Sequence, residues 1–230
     1  MRRGHADAEG LRAIGWTDED IAYYQENGVN WNEEDDEYHK VSDDNKALYG
    51  VLTVSNISSY RDRIVYLPKI NTSNVTTTSN IFSSCSALVA IPKLDTSKMT
   101  SMNNMFRSCY ALTSIPPLDT SNVTNMSYMF SQCYKLTSIQ MLDTISVHNM
   151  IGMLGYCYTL THLGLKNVKL AYQVNNSTLL SKESLLYLIN NEASESAITI
   201  RLATYAYDRW STDPDVVAAL ANHPNISLAK

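Results

Sequence analysis

The four cysteines of this 230-residue chain, Cys85, Cys109, Cys133 and Cys157, follow one another at intervals of 24 residues. A fixed period of that length is the signature of a repeated structural coil. Stacked coils produce rows of like residues rather than one convergence of unlike ones, which argues against an enzyme.

The register extends beyond sulfur. Phe82, Phe106 and Phe130 precede the first three cysteines by three residues, with Leu154 in that slot in the fourth copy. Leu88, Leu112, Leu136 and Leu160 follow by three, and behind them come Ile91, Ile115, Ile139 and Leu163, then Leu94, Leu118 and Leu142. The clearest copy is DTSNVTNMSYMFSQCYKLTSIQML, residues 119–142, beside weaker ones at 71–94, 95–118 and 143–166. Ile64, Leu67 and Ile70 mark a partial opening coil within 51–70.

Within one copy, Val123, Met126, Met129, Phe130 and Cys133 share the face of a helical segment, so this half predicts a short helix. The other half, Leu136 to Ile139, is rich in Thr and Ser. Proline follows it in two copies (Pro92, and Pro116 with Pro117), which predicts a short strand closed by a turn. Leu136 and Ile139 are three apart, so turning both inward requires a bend or bulge between them. Coils stacked about 4.8 Å apart would pair their strands into a parallel sheet and close one core. The expected fold is α/β: 24-residue coils, a parallel sheet on one side, short helices on the other, and a cap at each end.

In that frame the cysteines form a buried column of small apolar thiols. They lack the C-x-x-C spacing of a zinc site, and reduced thiols are favoured over disulfides between adjacent coils. Asp95, Asp119 and Asp143, with Asn71 before and Asn167 after, open each turn. A short polar side chain bonding nearby backbone N–H groups explains this row better than calcium does, because Asn serves there as well as Asp. No metal and no cofactor is expected.

Residues 1–50 carry a net charge of −8 and the remainder +3. Neither part has the basic stripe that phosphate binding needs, so nucleic acid is not an expected partner. No segment predicts membrane insertion. MRRGHADAEG has no apolar core, so with Met1 as the true start a secretory signal is not expected. Thr17 with Asp20 starts a helix holding Ile21, Tyr23 and Tyr24, and Gly28 stops it. Trp16 and Trp31 flank it, either to pack on the first coil and shield its edge or to dock onto another protein. The acidic run 33–37 reads as a solvated loop. After Asn167 the period is lost. A helix from Ser181 to Asn191, a strand from Ile198 to Leu202, a helix starting near Pro214 and a strand from Asn225 to Leu228 predict a β-α-β-α-β closing cap over the last sheet edge.

No G-x-S-x-G, H-E-x-x-H, P-loop or G-x-G-x-x-G occurs, and the five histidines are scattered. Cys157 and His162 are the one pair worth testing, but the frame turns them to different parts of the coil, and His148 falls on the outer face. No catalytic residue is expected. What repeats present is surface. Tyr110, Tyr134 and Tyr158 follow the last three cysteines and predict an aromatic column, with Tyr128 and Tyr156 nearby. Such rings beside Ser, Thr and Asn either form a contact face for glycans or proteins or only cover the coil junctions. Thr113, Thr137 and Thr161 form a second row on the strand side, either a binding face or filler.

The run DTSNVTNMSYMFSQCYKLTSI resembles the repeat of the BspA-type leucine-rich-repeat family of bacterial surface and phage proteins, with units of the form D-T-S-x-V-T-x-M-x-x-M-F-x-x-C-x-x-L. The segments LLSKESLLYLINNEA and ITIRLATYAYDRW resemble the closing region of such proteins from gut Bacteroidales and their phages. IGWTDEDIAYYQENGVNWNEEDDEYHKV resembles leaders joined to these repeats in phage structural proteins. The fourth copy departs at Val147, His148, Gly152, Leu154 and Gly155. The resemblance implies a leucine-rich-repeat solenoid over 51–166 between an acidic N-terminal helical capping and attachment module, 1–50, and an α/β cap, 167–230. It further implies a non-enzymatic protein of a phage virion (tail, fibre or head decoration), made in the host cytoplasm. Its partners would be other virion or surface-assembly proteins and a host surface glycan or protein. A bacterial cell-surface adhesin and a purely structural spacer are the alternatives.

Overall fold

The structure, a computed structural model, describes residues 8–27, 56–169, 172–174, 180–190 and 198–230. Gly28, Trp31 and the acidic run 33–37 lie outside the described residues. Residues 24 apart are stacked. Parallel bridges join Thr77 to Ser101, Ser101 to Asn125, Asn125 to Asn149, and Tyr66 to Ala90. The Phe82 and Phe106 rings stack at 5.4 Å between centroids, and Phe106 and Phe130 at 5.7 Å. Val123, Met126, Met129, Phe130, Cys133, Leu136 and Ile139 are all buried in one continuous core.

The short helices expected in the repeats are not there; strings of hydrogen-bonded turns stand in their place. Met105 N–H donates to Met102 O and Cys109 N–H to Phe106 O, each at 3.2 Å, closing turns within the coil. The alternate amides point along the stack instead: Met102 to Asn125 O, Asn104 to Ser127 O, Phe106 to Met129 O and Ser108 to Ser131 O, at 2.8 to 2.9 Å. A helix would satisfy these amides within the coil. Here the next coil satisfies them, and left-handed residues such as Asn104 (φ 54°) and Ser108 (φ 60°) swing the chain between the two directions.

On the opposite side, the chain is extended enough for paired strands only late in the array. Strands β1 (Ser138–Asp143) and β2 (His162–Lys166) run parallel. In earlier coils isolated bonds mark the same positions, Val89 N–H to Val65 O at 2.8 Å with Leu67 N–H to Ala90 O at 3.4 Å, and Thr113 N–H to Val89 O at 3.1 Å. Leu136 and Ile139 do both turn inward, but the register shift falls after Ile139, between it and Leu142, rather than between the two. There two residues of β1 face Gly164, where an added Cβ would lie 3.2 Å from the Met141 backbone.

Helices α1 (Ala8–Ala13) and α2 (Asp18–Asn27) lie against strand-side residues. Leu11, Ile14, Trp16, Ile21 and Tyr24 make a second core with Tyr66, Val89 and Ala90. Trp16 Nε1 donates to Leu67 O at 2.7 Å, and Tyr23 O–H reaches Ile115 O at 2.6 Å. Trp16 therefore packs inward. The module also covers strand positions beyond the first coil, because Val89 and Ala90 leave apolar surface that needs a cover.

Beyond β2, helix α3 (Lys182–Asn190) packs on the last coil. Ser181 N–H donates to Thr161 O at 2.8 Å, and the Ser184 hydroxyl accepts Leu163 N–H at 3.1 Å. Strands β3 (Tyr172–Val174), β4 (Ile198–Leu202) and β5 (Ile226–Ala229) form a parallel sheet in that order. Helices α4 (Thr204–Trp210) and α5 (Pro214–Asn222) connect β4 to β5. Asp213 caps α5 by accepting from the Asp215 and Val216 amides, with Pro214 in the first turn. Helix α4 adds an element that the sequence reading did not contain.

Candidate functional site

Each coil turns outward just after its cysteine, and the turn places the following residue on the surface in register with its neighbours. Tyr110, Tyr134 and Tyr158 occupy that slot. Tyr110 and Tyr134 stack at 4.9 Å with planes 6° apart, and Tyr134 and Tyr158 at 5.6 Å and 23°. They are 41%, 37% and 46% exposed, unlike the Phe column, which is buried. Tyr156 meets Tyr158 edge-on at 6.1 Å. Desolvation within the column, then the neighbouring phenols, raises the Tyr134 phenol above its ordinary value. The hydroxyl therefore remains a donor at neutral pH.

Tyr128 and Tyr156 stand at left-handed positions, φ 55° and 63°. Their slot-mates are Asn80, Asn104 and Gly152 for the first, and Ser84, Ser108 and Gln132 for the second. A tyrosine there carries a backbone cost of about 1 kcal/mol or more that Gly avoids and Asn lessens. Both remain exposed. The Tyr128 ring rests against Gly152, where an added Cβ would come within 2.5 Å of it, and the Arg107 guanidinium lies 5.8 Å from its centroid. Ile151 is 68% exposed in a slot held by Asn103 and Ser127. The sequence reading passed over it, although an aliphatic residue in a polar row was the available signal.

The threonine row is differently engaged. Thr113, Thr137 and Thr161 hydroxyls donate to the carbonyls of Val89, Thr113 and Thr137, 24 residues back, at 3.2, 3.3 and 3.0 Å. Thr113 is buried. These hydroxyls zip coils together, so the strand-side binding face is corrected at Thr113 and reduced to half-buried edges at Thr137 and Thr161. What stays open beside them is a groove of about 660 Å³ lined by Ser138, Gln140, His162, Glu183 and Tyr187.

The aspartate row shapes turns. Asp95 and Asp119 each accept the amide and hydroxyl of the serine two residues on, at 3.1 and 2.7 Å, as Asn71 does for Ser73 at 3.0 and 2.8 Å. The bonds from Ser97 hold the Asp95 carboxyl below its usual value. Burial works against ionisation of Asp143, but bonds from Asn167, Ile145 and Lys166 outweigh it, and its pKa is also lowered. The next residue, Thr96 or Thr120, clamps the neighbouring coil, donating to Asp119 O or Asp143 O at 3.0 or 2.9 Å. Among the described residues no three His, Cys, Asp or Glu side chains are grouped as a metal site would need.

Cys85, Cys109, Cys133 and Cys157 are buried thiols outside any disulfide. The last three donate to the carbonyls of Phe82, Phe106 and Phe130 at 3.1 to 3.2 Å. Burial pushes Cys85 and Cys157 up to about 12, and Cys109 and Cys133 well above the ordinary value. His162 is exposed on β2 with Nδ1 2.7 Å from Thr161 Oγ1, and Nδ1 of exposed His148 lies 2.6 Å from Ser146 O. Cys157 is thus inside the coil while both imidazoles are outside, and a protonated buried thiol is a poor nucleophile.

No helix among the described residues is long and apolar enough to cross a membrane. Comparison with curated proteins and with solved structures found no match. Residues 54–167 match the model of the family described as Mycoplasma protein of unknown function, DUF285, so the chain is similar to that family over its repeat region.

Proposed function

We propose that the chain is a non-enzymatic binding protein, a leucine-rich-repeat solenoid that presents the Tyr110–Tyr134–Tyr158 column to a bacterial surface through protein or glycan contacts. The observation that carries this reading is the column itself: three large rings kept in register yet left more than a third exposed. Ordered, rigid aromatics are low-entropy contact groups. The two tyrosines held against an unfavourable φ beside that column add to the same reading. Burial of the thiols and separation of the histidines support a role without catalysis.

The assembly on which it is mounted is a phage virion in this reading, on the resemblance of the opening and closing segments to phage structural proteins. The N-terminal module is the part that joins that assembly. A bacterial surface adhesin is the second reading, because the repeats equally resemble those of cell-surface proteins. Whole Bacteroidales cells provide the test, with the full chain compared against Tyr110→Ser/Tyr134→Ser/Tyr158→Ser. Serine is native to the slot at Ser86, so the variant keeps the coil. Binding should fall at least about tenfold. Unchanged binding would reject the column, and no binding by either protein would leave a structural spacer. Mass spectrometry of purified phage particles separates virion from adhesin.

A further inference from the structure

We propose that Arg61 and the pocket beside it bind a phosphate group at the opening end of the repeat array, independently of the tyrosine column. In the 24-residue register Arg61 stands where later coils place Cys85, Cys109, Cys133 and Cys157, and Ser58 stands where they place Phe82, Phe106 and Phe130. The opening coil thus ends two buried apolar columns with a cation and a hydroxyl. Arg61 is half-buried. Burial pushes the neighbouring Cys85 thiol up, and the Arg61 charge works against that push.

A charge in such a place is costly unless it is paired. Arg61 Nη2 donates to Asn80 O at 3.0 Å, which fixes the guanidinium across to the next coil, but a carbonyl supplies no countercharge. Nε is buried with no acceptor. Among the described residues none of the ion pairs includes Arg61. A buried donor left in this state points to a missing partner. That partner need not touch Nε, because the charge is delocalised over the whole guanidinium.

Beside Arg61 lies a pocket of about 290 Å³, lined further by Ser58, Thr77, Ser79 and Asn80 and by no carboxylate. Ser58 lies three residues before Arg61 on the 3₁₀ turn Ile57–Tyr60, so the two side chains leave the chain on the same side. Thr77 and Ser79 come from the next coil, their hydroxyls 3.0 Å apart. A charged oxygen is a stronger acceptor than another hydroxyl, so the Thr77 hydroxyl can turn to it. Donors arriving from two coils suit the oxygens of a tetrahedral anion. A planar carboxylate would spend both oxygens on the guanidinium and leave the hydroxyls unused.

The experiment titrates inorganic phosphate into the full chain at constant ionic strength, with chloride as the exchanged ion, and follows backbone amides by NMR. Saturable shifts confined to the segments around 58–61 and 77–80 are the expected result. Arg61→Gln keeps a polar side chain, removes the charge and should weaken phosphate binding about tenfold or more. Shifts that do not saturate, shifts centred elsewhere, or equal binding by Arg61→Gln overturn the site. If that variant fails to fold, the shift map of the unaltered chain decides alone. Flotation with phosphatidylcholine vesicles, with and without phosphatidic acid, separates the sources of the phosphate. Arg61-dependent flotation with phosphatidic acid marks a lipid headgroup, and phosphate binding without flotation marks a soluble or polymer-borne one. The triple Tyr→Ser variant should bind phosphate as the unaltered chain does, which keeps failure of this site distinct from failure of the column.

Discussion

The carboxylate of Asp20 accepts the backbone N–H of Lys93 at 2.7 Å, although 73 residues separate the two in sequence. The same side chain also accepts from the Thr17 amide at 3.0 Å, the Thr17 hydroxyl at 2.7 Å and Lys69 Nζ at 3.3 Å. Asp20 is 6% exposed. A helix-capping residue thus fastens the N-terminal module to the repeats.

Asp20→Ala should destabilise the attachment of α1 and α2 by about 2 kcal/mol, because it leaves the Lys93 amide without its acceptor and removes a charge-assisted bond. Denaturant unfolding by circular dichroism, together with faster proteolysis within 8–27, is the measurement. Wild-type cleavage rates in the variant would show that the carboxylate contributes little.

The same contact has a pH dependence of defined sign. Burial opposes ionisation of Asp20, but bonds from Thr17 and Lys93 and the Lys69 charge prevail, so its folded pKa lies below 3.8. A lowered carboxyl pKa stabilises above the unfolded value and loses that stabilisation as pH falls through the folded one. The protection of the Lys93 amide, measured against its intrinsic exchange rate at each pH, should fall below about pH 4. Protection that is flat from pH 6 to pH 2 would contradict this.

Phe106 is buried with stacking partners on both sides, Phe82 and Phe130. Phe106→Ala should cost about 3–5 kcal/mol through the cavity it leaves. Phe106→Leu should cost distinctly less, since Leu154 fills the same slot in the fourth copy. Equal losses for the two variants, measured by denaturant titration, would mean that volume is not what that column supplies.

Native protein should show almost no thiol reaction with a disulfide reagent at pH 8, and four thiols once unfolded in guanidinium. Burial excludes the reagent and, by raising the thiol pKa to about 12 at Cys85 and Cys157, keeps the reactive thiolate scarce. Rapid labelling of any of the four in the folded state would place that thiol outside the core.

Gly152→Ala should destabilise by about 1–2 kcal/mol, since the position has φ 63° and the new methyl meets the Tyr128 ring. Tyr128→Asn, the residue found at Asn80 and Asn104, should raise the stability of Gly152→Ala by more than it raises that of the wild type, the excess being the part due to the ring. Equal gains from Tyr128→Asn in the two backgrounds would show that ring contact contributes nothing.

Some features were legible along the chain because they are local or strictly periodic. The buried columns of Phe, Cys and Leu followed from the 24-residue register. The Thr17–Asp20 capping pair, with the Asp20 amide donating to the Thr17 hydroxyl at 3.1 Å, and the Asp213–Pro214 start of α5 followed from short-range hydrogen-bond chemistry. Periodicity reports which side chains are buried and not which φ carries them there. Val123, Met126, Met129, Phe130 and Cys133 therefore look the same on a helix as on the string of turns that the protein uses. The distinction rests on amides that bond across to the next coil, and on Asn, Ser, Gln and Tyr accepting left-handed conformations in slots that glycine marks in the repeats at Gly152 alone. Contacts between distant segments leave no local mark either. That Asp20 reaches Lys93, that Tyr23 reaches Ile115 and that the threonine hydroxyls bond between coils emerged only when the chain was folded, because each depends on which surfaces packing brings within hydrogen-bonding distance.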